Sequence, residues 1–165
     1  MKIDTKNKKL AINGGRPIRS KSWSKNVTTD KNELRIIKKV LKTGNLSLFE
    51  GSHNPDKPFS FGGGPFVKRL EKKWSDYYNI KHSVSMNSAT SCLFASVGAL
   101  EIGYGDEVIV SPFTMTACAL APLIYGAIPI FADVEESTGC IDPKSFESKI
   151  TKRTKAIIIV HQFGF

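Results

Sequence analysis

The second half of the chain alternates short apolar runs with helical patterns, and this alternation constrains the fold more than any other feature. We expect strands at 83–86, 107–110, 127–131 and 156–160, separated by helices that end near Leu100, run from about Thr116 to Tyr125, and run from Asp142-Pro143 to about Ile150. Strands that alternate with helices predict an α/β fold, with a mainly parallel sheet and helices on both of its faces. The continuous apolar character of 127–131 predicts a strand covered on both sides.

The junction between the first strand and its helix is a turn of small polar residues, Asn87-Ser88-Ala89-Thr90-Ser91. The first N–H groups of a helix have no partner inside it, and the helix dipole adds partial positive charge there. Such a junction binds anions, and phosphate is the expected guest. Ordinary helix capping by small polar side chains is the alternative explanation of the same residues.

Segments that follow predicted strands are candidates for one shared site. Ligands of open parallel sheets bind at the carboxyl ends of the strands. The segments 87–91, 111–116 and 161–164 each follow a predicted strand. We therefore expect them to meet at one edge of the sheet and to line one pocket.

Several other polar or flexible residues have ordinary structural explanations. Asp106 and Asp133 lie beside strands, where an acid usually forms a turn or a cap. His161 follows the last strand, and a hydrogen-bonded structural role is expected for it rather than a catalytic one. His53 has no partner visible in the sequence. Gly62–Gly64 precede a helix but follow no convincing strand, so a phosphate loop of the dinucleotide or nucleotide type is not supported.

The first 82 residues lack the alternation of strand and helix patterns that is present in the rest of the chain. Residues 1–28 are polar and irregular and predict an N-terminal arm, and residues 29–82 predict a helical and loop segment that precedes the α/β domain of 83–165. Asp30 and Glu33 predict a capping box that starts a helix ending at Gly44. A loop is expected at 45–64 and a helix from Pro65. The second helix is expected to have an apolar face formed by Val67, Leu70, Trp74 and Tyr77 or Tyr78, with Lys68, Arg69, Glu71, Lys72 and Lys73 mostly outside.

Composition narrows the class of protein. The chain has 165 residues, 41% of them hydrophobic, and a net charge of +9, which fits a globular domain that handles small anions. No stripe of Arg and Lys interleaved with aromatics is present, which disfavours nucleic acid as a partner. Cys92, Cys118 and Cys140 are widely spaced, which disfavours a metal site or a disulfide framework and predicts buried thiols in a reducing cytoplasm. Neither a signal peptide nor a membrane-spanning run is expected.

Longer segments carry a family resemblance. They are LAINGGRPIR, LKTGNLS, GGPFVKRLEKKWSDYYNIKHSVSMNSATSCL, GYGDEVIVSPFTMTACALAPLIYGAIPIFADVE and IDPKSFESKITKRTKAIIIVHQFGF. In order and spacing they resemble the start of the DegT/DnrJ/EryC1/StrS family of sugar aminotransferases, over nearly the whole chain. GDEVIVSPFT followed by GAIPIFADV is the most specific part of the resemblance.

The resemblance implies a fold, a cofactor and a reaction. The fold is the large domain of the aspartate-aminotransferase type (fold type I), and the cofactor is pyridoxal 5′-phosphate (PLP). The reaction moves an amino group from glutamate or glutamine to a keto-sugar, often nucleotide-linked, or to a keto-cyclitol. Homodimers with an active site at the subunit interface are usual in the family. The alternatives are a sugar dehydratase of the same family, a truncated non-catalytic binding protein, and a generic nucleotide-binding α/β domain.

The resemblance also assigns site residues. Ala89 and Thr90, with Ser88 beside them, match the positions that hold the PLP phosphate. Met115 or Phe113 matches the residue that covers the pyridine ring, and many relatives carry an aromatic side chain where Met115 stands. The family's cofactor-holding lysine and the carboxylate that pairs with the ring nitrogen are expected beyond Phe165. We therefore expect the chain to be the first part of a longer protein and to be inactive by itself.

Overall fold

The computed structural model describes residues 9–47 and 62–165, so His53 and most of the predicted loop lie outside the described residues. The chain divides into two compact units, Met1–Gly64 and Pro65–Phe165. The elements are α1 (Lys31–Thr43), α2 (Pro65–Tyr78), α3 (Ala89–Ala99), β1 (Glu107–Val110), α4 (Ala117–Ile124), β2 (Ile128–Phe131), α5 (Pro143–Ser148), β3 (Thr154–Ile158) and two 3-10 turns, Ala11–Asn13 and Gln162–Gly164.

The first unit contains α1, whose two ends are set by local sequence. The Asp30 N–H donates to Glu33 Oε2 at 2.6 Å, and the Asn32 N–H donates to Asp30 Oδ1 at 2.6 Å, so the predicted capping box is confirmed. Gly44 adopts the left-handed conformation with φ 70° and ends the helix, as predicted. The apolar residues Leu34 and Ile37 remain more than half exposed.

The second unit contains a parallel sheet in the order β2-β1-β3. β1 pairs with β2 from Glu107↔Ile128 to Val110↔Phe131, and with β3 from Glu107↔Thr154 to Val110↔Ile158. The α/β class and the parallel pairing predicted from the alternation are confirmed. β1 is the central strand, and all four of its residues are buried.

Two apolar clusters lie on opposite sides of β1, because successive side chains of a strand point to opposite faces. Val108 and Val110 belong to a cluster with residues from α3, α4 and the loops beside them: Val97, Ile102, Ala121 and Ala127. Ile109 belongs to a second cluster with Ala132 and Ile141, against which Phe146 of α5 packs. Each fully buried side chain of this kind contributes roughly 1.5–3 kcal/mol. Helices therefore cover both faces of β1.

The predicted strand at 83–86 is wrong. No strand of the described sheet pairs with this segment, which carries no regular secondary structure. Its polar groups bond instead to side chains of α2: the Ser85 N–H donates to Glu71 Oε1 at 2.8 Å, and the Ser83 and Ser75 hydroxyls lie 2.7 Å apart. A strand needs a neighbouring strand to pair its backbone groups, and in the described structure this segment has side-chain contacts with α2 instead.

The other two flanking strands differ from prediction in smaller ways. β3 begins at Thr154 and ends at Ile158, two residues earlier than expected at each end, because its pairing with β1 begins at Glu107 and ends at Val110. β2 is an edge strand whose Ile128 and Phe131 are exposed in the described structure, so the expectation that it is covered on both sides is wrong. Only the central strand is enclosed by its neighbours and by both layers of helix.

A buried carboxylate stands at the start of β1. Glu107 is 2% exposed, and its Oε2 accepts a hydrogen bond from the Thr151 hydroxyl at 2.5 Å. Its Oε1 pairs with the Arg153 guanidinium, whose side chain is mostly exposed. The Thr151 bond lowers the pKa of Glu107 below its ordinary value, burial opposes the shift, and Arg153 adds to the lowering. The charged form is therefore the one that the fold favours.

The first prediction concerns the pH dependence of stability. Because the folded-state pKa of Glu107 lies below the unfolded value of about 4.5, its stabilisation is present above that pH and is lost as the pH falls through the folded-state value. Glu107→Gln should lower the melting temperature at pH 7, and the difference from the wild type should shrink below about pH 4.5. The exposed Glu136→Gln is the control, and a gap for Glu107→Gln that stays constant down to pH 3 would contradict the assignment.

The second prediction concerns the contact between α3 and α4. The Tyr125 hydroxyl donates to the Phe94 carbonyl oxygen at 2.9 Å, and a Cβ on Gly98 would lie 2.5 Å from that hydroxyl and 2.9 Å from Cζ. Gly98→Ala should therefore destabilise the fold by about 1 kcal/mol or more, although alanine is normally the better helix former. In a Tyr125→Ala background the same change should be neutral or stabilising, by up to about 1 kcal/mol. Chemical denaturation of the four variants measures this coupling, and equal effects in both backgrounds would refute it.

Candidate functional site

The turn before α3 is organised by Ser88. Its backbone is extended (φ −161°, ψ 158°), and its Oγ accepts a hydrogen bond from the Ser91 N–H at 3.1 Å, which is the geometry of an N-cap. The Ser91 hydroxyl donates to Asn87 Oδ1 at 2.7 Å. Because the one hydroxyl hydrogen of Ser91 is used there, the 3.0 Å contact between the two serine hydroxyls is donated by Ser88. The Ser88 side chain is thus fully engaged within the turn.

Ala89 and Thr90 begin the helix, and their donors are free within the described structure. Among residues 9–47 and 62–165, neither backbone N–H has a hydrogen-bond acceptor, and the Thr90 hydroxyl has no partner either. Both residues are exposed, and the first turn of α3 contains no acidic residue. Two N–H groups and one hydroxyl therefore face solvent at the positive end of a helix dipole, which is an arrangement that can hold a phosphate.

Phe113 and Met115 lie in the loop that follows β1. The Phe113 N–H donates to Ser111 Oγ at 3.1 Å, and its carbonyl oxygen accepts from the Gln162 amide. The Phe113 ring lies against Gly139, where an added Cβ would be 3.1 Å from the ring. The Met115 side chain is 75% exposed. Phe113 therefore has a structural contact on its ring, whereas Met115 is largely open.

Two of the three predicted segments meet at the carboxyl edge of the sheet. The bond from Gln162 to the Phe113 carbonyl joins segment 161–164 to segment 111–116, as predicted. The premise for segment 87–91 was wrong, since no strand precedes it. Its helix nevertheless packs on α4: Tyr125, which directly follows α4, bonds to the Phe94 carbonyl in the middle of α3 and lies against Gly98 near its end. The carboxyl ends of the two helices therefore lie close together.

The remaining candidates have local roles, as predicted. His161 Nδ1 lies 2.7 Å from the Phe165 carbonyl oxygen. Asp106 Oδ2 accepts from the Gly103 N–H at 3.0 Å, and Asp133 Oδ1 accepts from the Val134 N–H at 2.9 Å. These bonds hold turns and chain ends, and none of them joins the α3 turn to another segment.

The three cysteines differ in their exposure to solvent. Cys118 is buried and Cys140 is half-buried, but Cys92 is exposed on α3, so the expectation of buried thiols is wrong for Cys92. The described residues bring together no group of three His, Cys, Asp or Glu side chains suited to a metal ion. No helix in the described part of the chain has the length and apolar character needed to cross a membrane.

One feature of α2 contradicts the sequence analysis. Glu71, expected outside, is half-buried together with Val67 and Ser75, one and two helical turns apart on the same face. Glu71 Oε1 accepts from both the Ser85 N–H, at 2.8 Å, and the Ser85 hydroxyl, at 3.0 Å. The spacing of Val67, Glu71 and Ser75 was the only available signal, because a charged residue on a helix is ordinarily assigned to solvent.

Known proteins resemble this chain over most of its length. The model of the DegT/DnrJ/EryC1/StrS aminotransferase family matches residues 57–165. The spore coat polysaccharide biosynthesis protein SpsC of Bacillus subtilis is 39% identical over 134 residues, which are 81% of this chain and 30% of the relative. The L-glutamine:2-deoxy-scyllo-inosose aminotransferase of Streptomyces kanamyceticus is 32% identical over 156 residues, which are 94% of this chain and 35% of that enzyme.

A solved structure is similar as well. NtdA of Bacillus subtilis, solved with bound cofactor PMP, superposes with a TM-score of 0.69 at 32% identity, covering 84% of this chain and 29% of NtdA. The chain spans about a third of the length of the proteins it matches. The match to the family model covers well over half of the chain, in the region that contains the α3 turn, the sheet and the Phe113–Met115 loop. The chain belongs to the DegT/DnrJ/EryC1/StrS aminotransferase family.

Proposed function

We propose that this chain is the phosphate-binding part of a PLP-dependent aminotransferase that transfers an amino group from glutamine or glutamate to a keto-sugar or keto-cyclitol. Membership of the family supports the reaction class. The name of the Streptomyces kanamyceticus relative states glutamine as its amino donor and a cyclitol ketone as its acceptor. NtdA carries PMP, the amino form of PLP, which supports the choice of cofactor. The observation that carries the proposal is the pair of free N–H groups at Ala89 and Thr90, beside a serine already engaged as the cap.

The donors of the α3 turn fit a phosphate. The Ala89 and Thr90 N–H groups and the Thr90 hydroxyl would each donate to a phosphate oxygen. The absence of an acidic residue from this first turn leaves the helix dipole uncompensated. Ser88 contributes by holding the turn, since its own hydroxyl is bonded to Ser91. PLP, when bound, supplies an aldehyde that accepts the amino group and a ring that takes up electrons.

Met115 is the better candidate for the residue that covers the cofactor ring. Phe113 is 56% exposed, but its ring already packs against Gly139, so turning the ring onto a ligand would break that contact. Met115 is open, and its flexible thioether packs favourably on aromatic rings. Position 115 lies two residues before the start of α4.

The complete reaction needs more than these residues provide. No lysine of this chain matches the family's cofactor-holding motif, so we propose that residues 1–165 bind the cofactor without transaminating. We also propose that the whole protein is a homodimer, as the family resemblance implies. The role of the present residues is to bind the phosphate, to orient the ring and to exclude water from one of its faces.

The third prediction tests the phosphate site. PMP is the suitable probe, because it carries the phosphate but cannot condense with surface lysines. Titration of the ¹⁵N-labelled chain with PMP should shift the amide signals of Ala89, Thr90 and Ser91, and pyridoxamine without phosphate should not. Thr90→Val should weaken PMP binding about tenfold, because it removes a hydrogen bond to a charged group.

The control for Thr90→Val is Thr29→Val, the same change at an exposed position in the other unit, which should leave the affinity unchanged. The absence of any PMP-induced shift at residues 88–91 would overturn the proposed function.

The fourth prediction tests the ring contact. In a chain labelled at the methionine methyl groups, PMP should move the Met115 signal upfield through the ring current, whereas inorganic phosphate should not move it. Met86, close before the α3 turn, provides an internal reference. Met115→Ala should lower the affinity for PMP about three- to tenfold, in line with a sulfur–aromatic contact of up to about 1.5 kcal/mol, without changing that for phosphate. A bound PMP that leaves the Met115 methyl signal in place would refute Met115 as the covering residue.

A further inference from the structure

We infer that Glu71 of α2 is a positioning residue for the phosphate-binding turn, an inference that rests on the proposed function. Glu71 is not part of the turn. It acts through Ser85, which lies three residues before the cap residue Ser88. Three observations support this role: the bonds between Glu71 and Ser85, the contact between Ser75 and Ser83, and the packing around the segment 80–86.

The contacts of Glu71 fix both the backbone and the side chain of Ser85. One carboxylate oxygen, Oε1, accepts from the Ser85 N–H at 2.8 Å and from its hydroxyl at 3.0 Å. Hydrogen bonds to an ionised acceptor are shorter and stronger than neutral ones. Glu71 is half-buried, whereas Ser85 and its two hydrogen bonds to the carboxylate are exposed. Two donors from one residue therefore hold the segment against α2 at a single point.

A second contact, one helical turn along α2, fixes the direction of the segment. The Ser75 and Ser83 hydroxyls lie 2.7 Å apart. Ser83 and Ser85 thus both bond to α2, while Val84 and Met86 line the cavity beside that helix. Residues two apart on an extended chain point to the same side, which fits bonds at Ser83 and Ser85. Two fixed points on one side determine how the chain enters Asn87 and Ser88.

The apolar residues around the segment 80–86 do not pack tightly enough to fix its position. A cavity of about 440 Å³ lies between α2 and the segment 80–86, with Leu70, Trp74 and Val84 in its lining, and it reaches Cys92 on α3. Trp74 and Leu70 are each about half exposed. Within the described structure no strand pairs with the segment either. The hydrogen bonds from Glu71 and Ser75 are therefore the polar side-chain contacts by which α2 holds the segment in the described structure.

The consequence concerns the site itself. Ser88 begins α3 through its extended backbone and its bond to the Ser91 N–H, so the directions of the Ala89 and Thr90 N–H groups depend on this helix start. Release of Ser85 would let the entering chain vary in direction and would spread the turn over several conformations. The binding-competent fraction would fall, and the apparent affinity would fall in proportion.

The experiment compares Glu71 variants by PMP titration with ¹⁵N detection. Glu71→Ala should weaken PMP binding about tenfold and should broaden the amide signals of Ala89 and Thr90 before any ligand is added. Glu71→Gln keeps a carbonyl oxygen that can accept from Ser85, so it should restore the affinity to within about threefold of the wild type. Asp76→Ala is the matched control, because this acid lies on the same helix and bonds Lys72 across an exposed helical turn.

Unchanged amide signals for Val108 and Ile109 in β1 will show that each variant retains the fold. Equal PMP affinity of the wild type and Glu71→Ala would overturn the inference and leave the proposed function standing. Failure of Glu71→Gln to restore binding would also overturn it, because the hydrogen bond would then not be the cause. If the wild type itself does not bind PMP, the proposed function is wrong. If the wild type binds PMP and Glu71→Ala binds it equally well, only the role of Glu71 is wrong.

Discussion

Burial of β1 on both faces and along both edges is the constraint on which the α/β unit depends. Val108 and Val110 anchor α3 and α4 on one side, and Ile109 anchors the cluster that includes α5 on the other. A strand so enclosed must satisfy every polar group from within the protein. Glu107, at its first position, meets this requirement by bonding to Thr151 and Arg153, the residues that lead into β3. The Glu107 carboxylate therefore finds its hydrogen-bond partners within the protein, and these bonds hold the residues before β3 beside the first residue of β1.

Two kinds of interaction act on the candidate site. Non-directional apolar burial places the helices, since α3 is held by its cluster and by the contact of Gly98 with Tyr125. Directional hydrogen bonds place the short segments, as in the bond of Gln162 to the Phe113 carbonyl and the bonds of Glu71 to Ser85. Apolar burial tolerates small shifts of a helix, whereas the donors of a phosphate site must be held in a defined geometry. A polar residue on a neighbouring helix is thus a physically reasonable support for a turn of small side chains.

Features that depend on residues close in the sequence were predicted correctly, whereas features that depend on residues far apart in the sequence were not. The Asp30–Glu33 box, the helix stop at Gly44 and the apolar run of β1 depend on neighbours within a few residues, and each was confirmed. The segment 83–86 has the composition of a strand, but a strand exists only through a partner strand, and in the described structure the segment bonds to side chains of α2 instead. Glu71 was missed for the same reason, because its acceptor role depends on Ser85, fourteen residues away. The turn before α3 could be recognised from the sequence as a candidate anion site, but its link to Glu71 through Ser85 could not.

Capping and anion binding were alternative explanations of the turn before α3, and the structure makes them compatible. A helix start has four N–H groups without an intrahelical partner, and one side-chain cap satisfies only one or two of them. Here Ser88 takes the Ser91 N–H through its side chain, and its carbonyl accepts from Cys92. The N–H groups of Ala89 and Thr90 are left without a partner in the described structure. The cap therefore does not compete with a phosphate, because it fixes the start of the helix and leaves these two donors available.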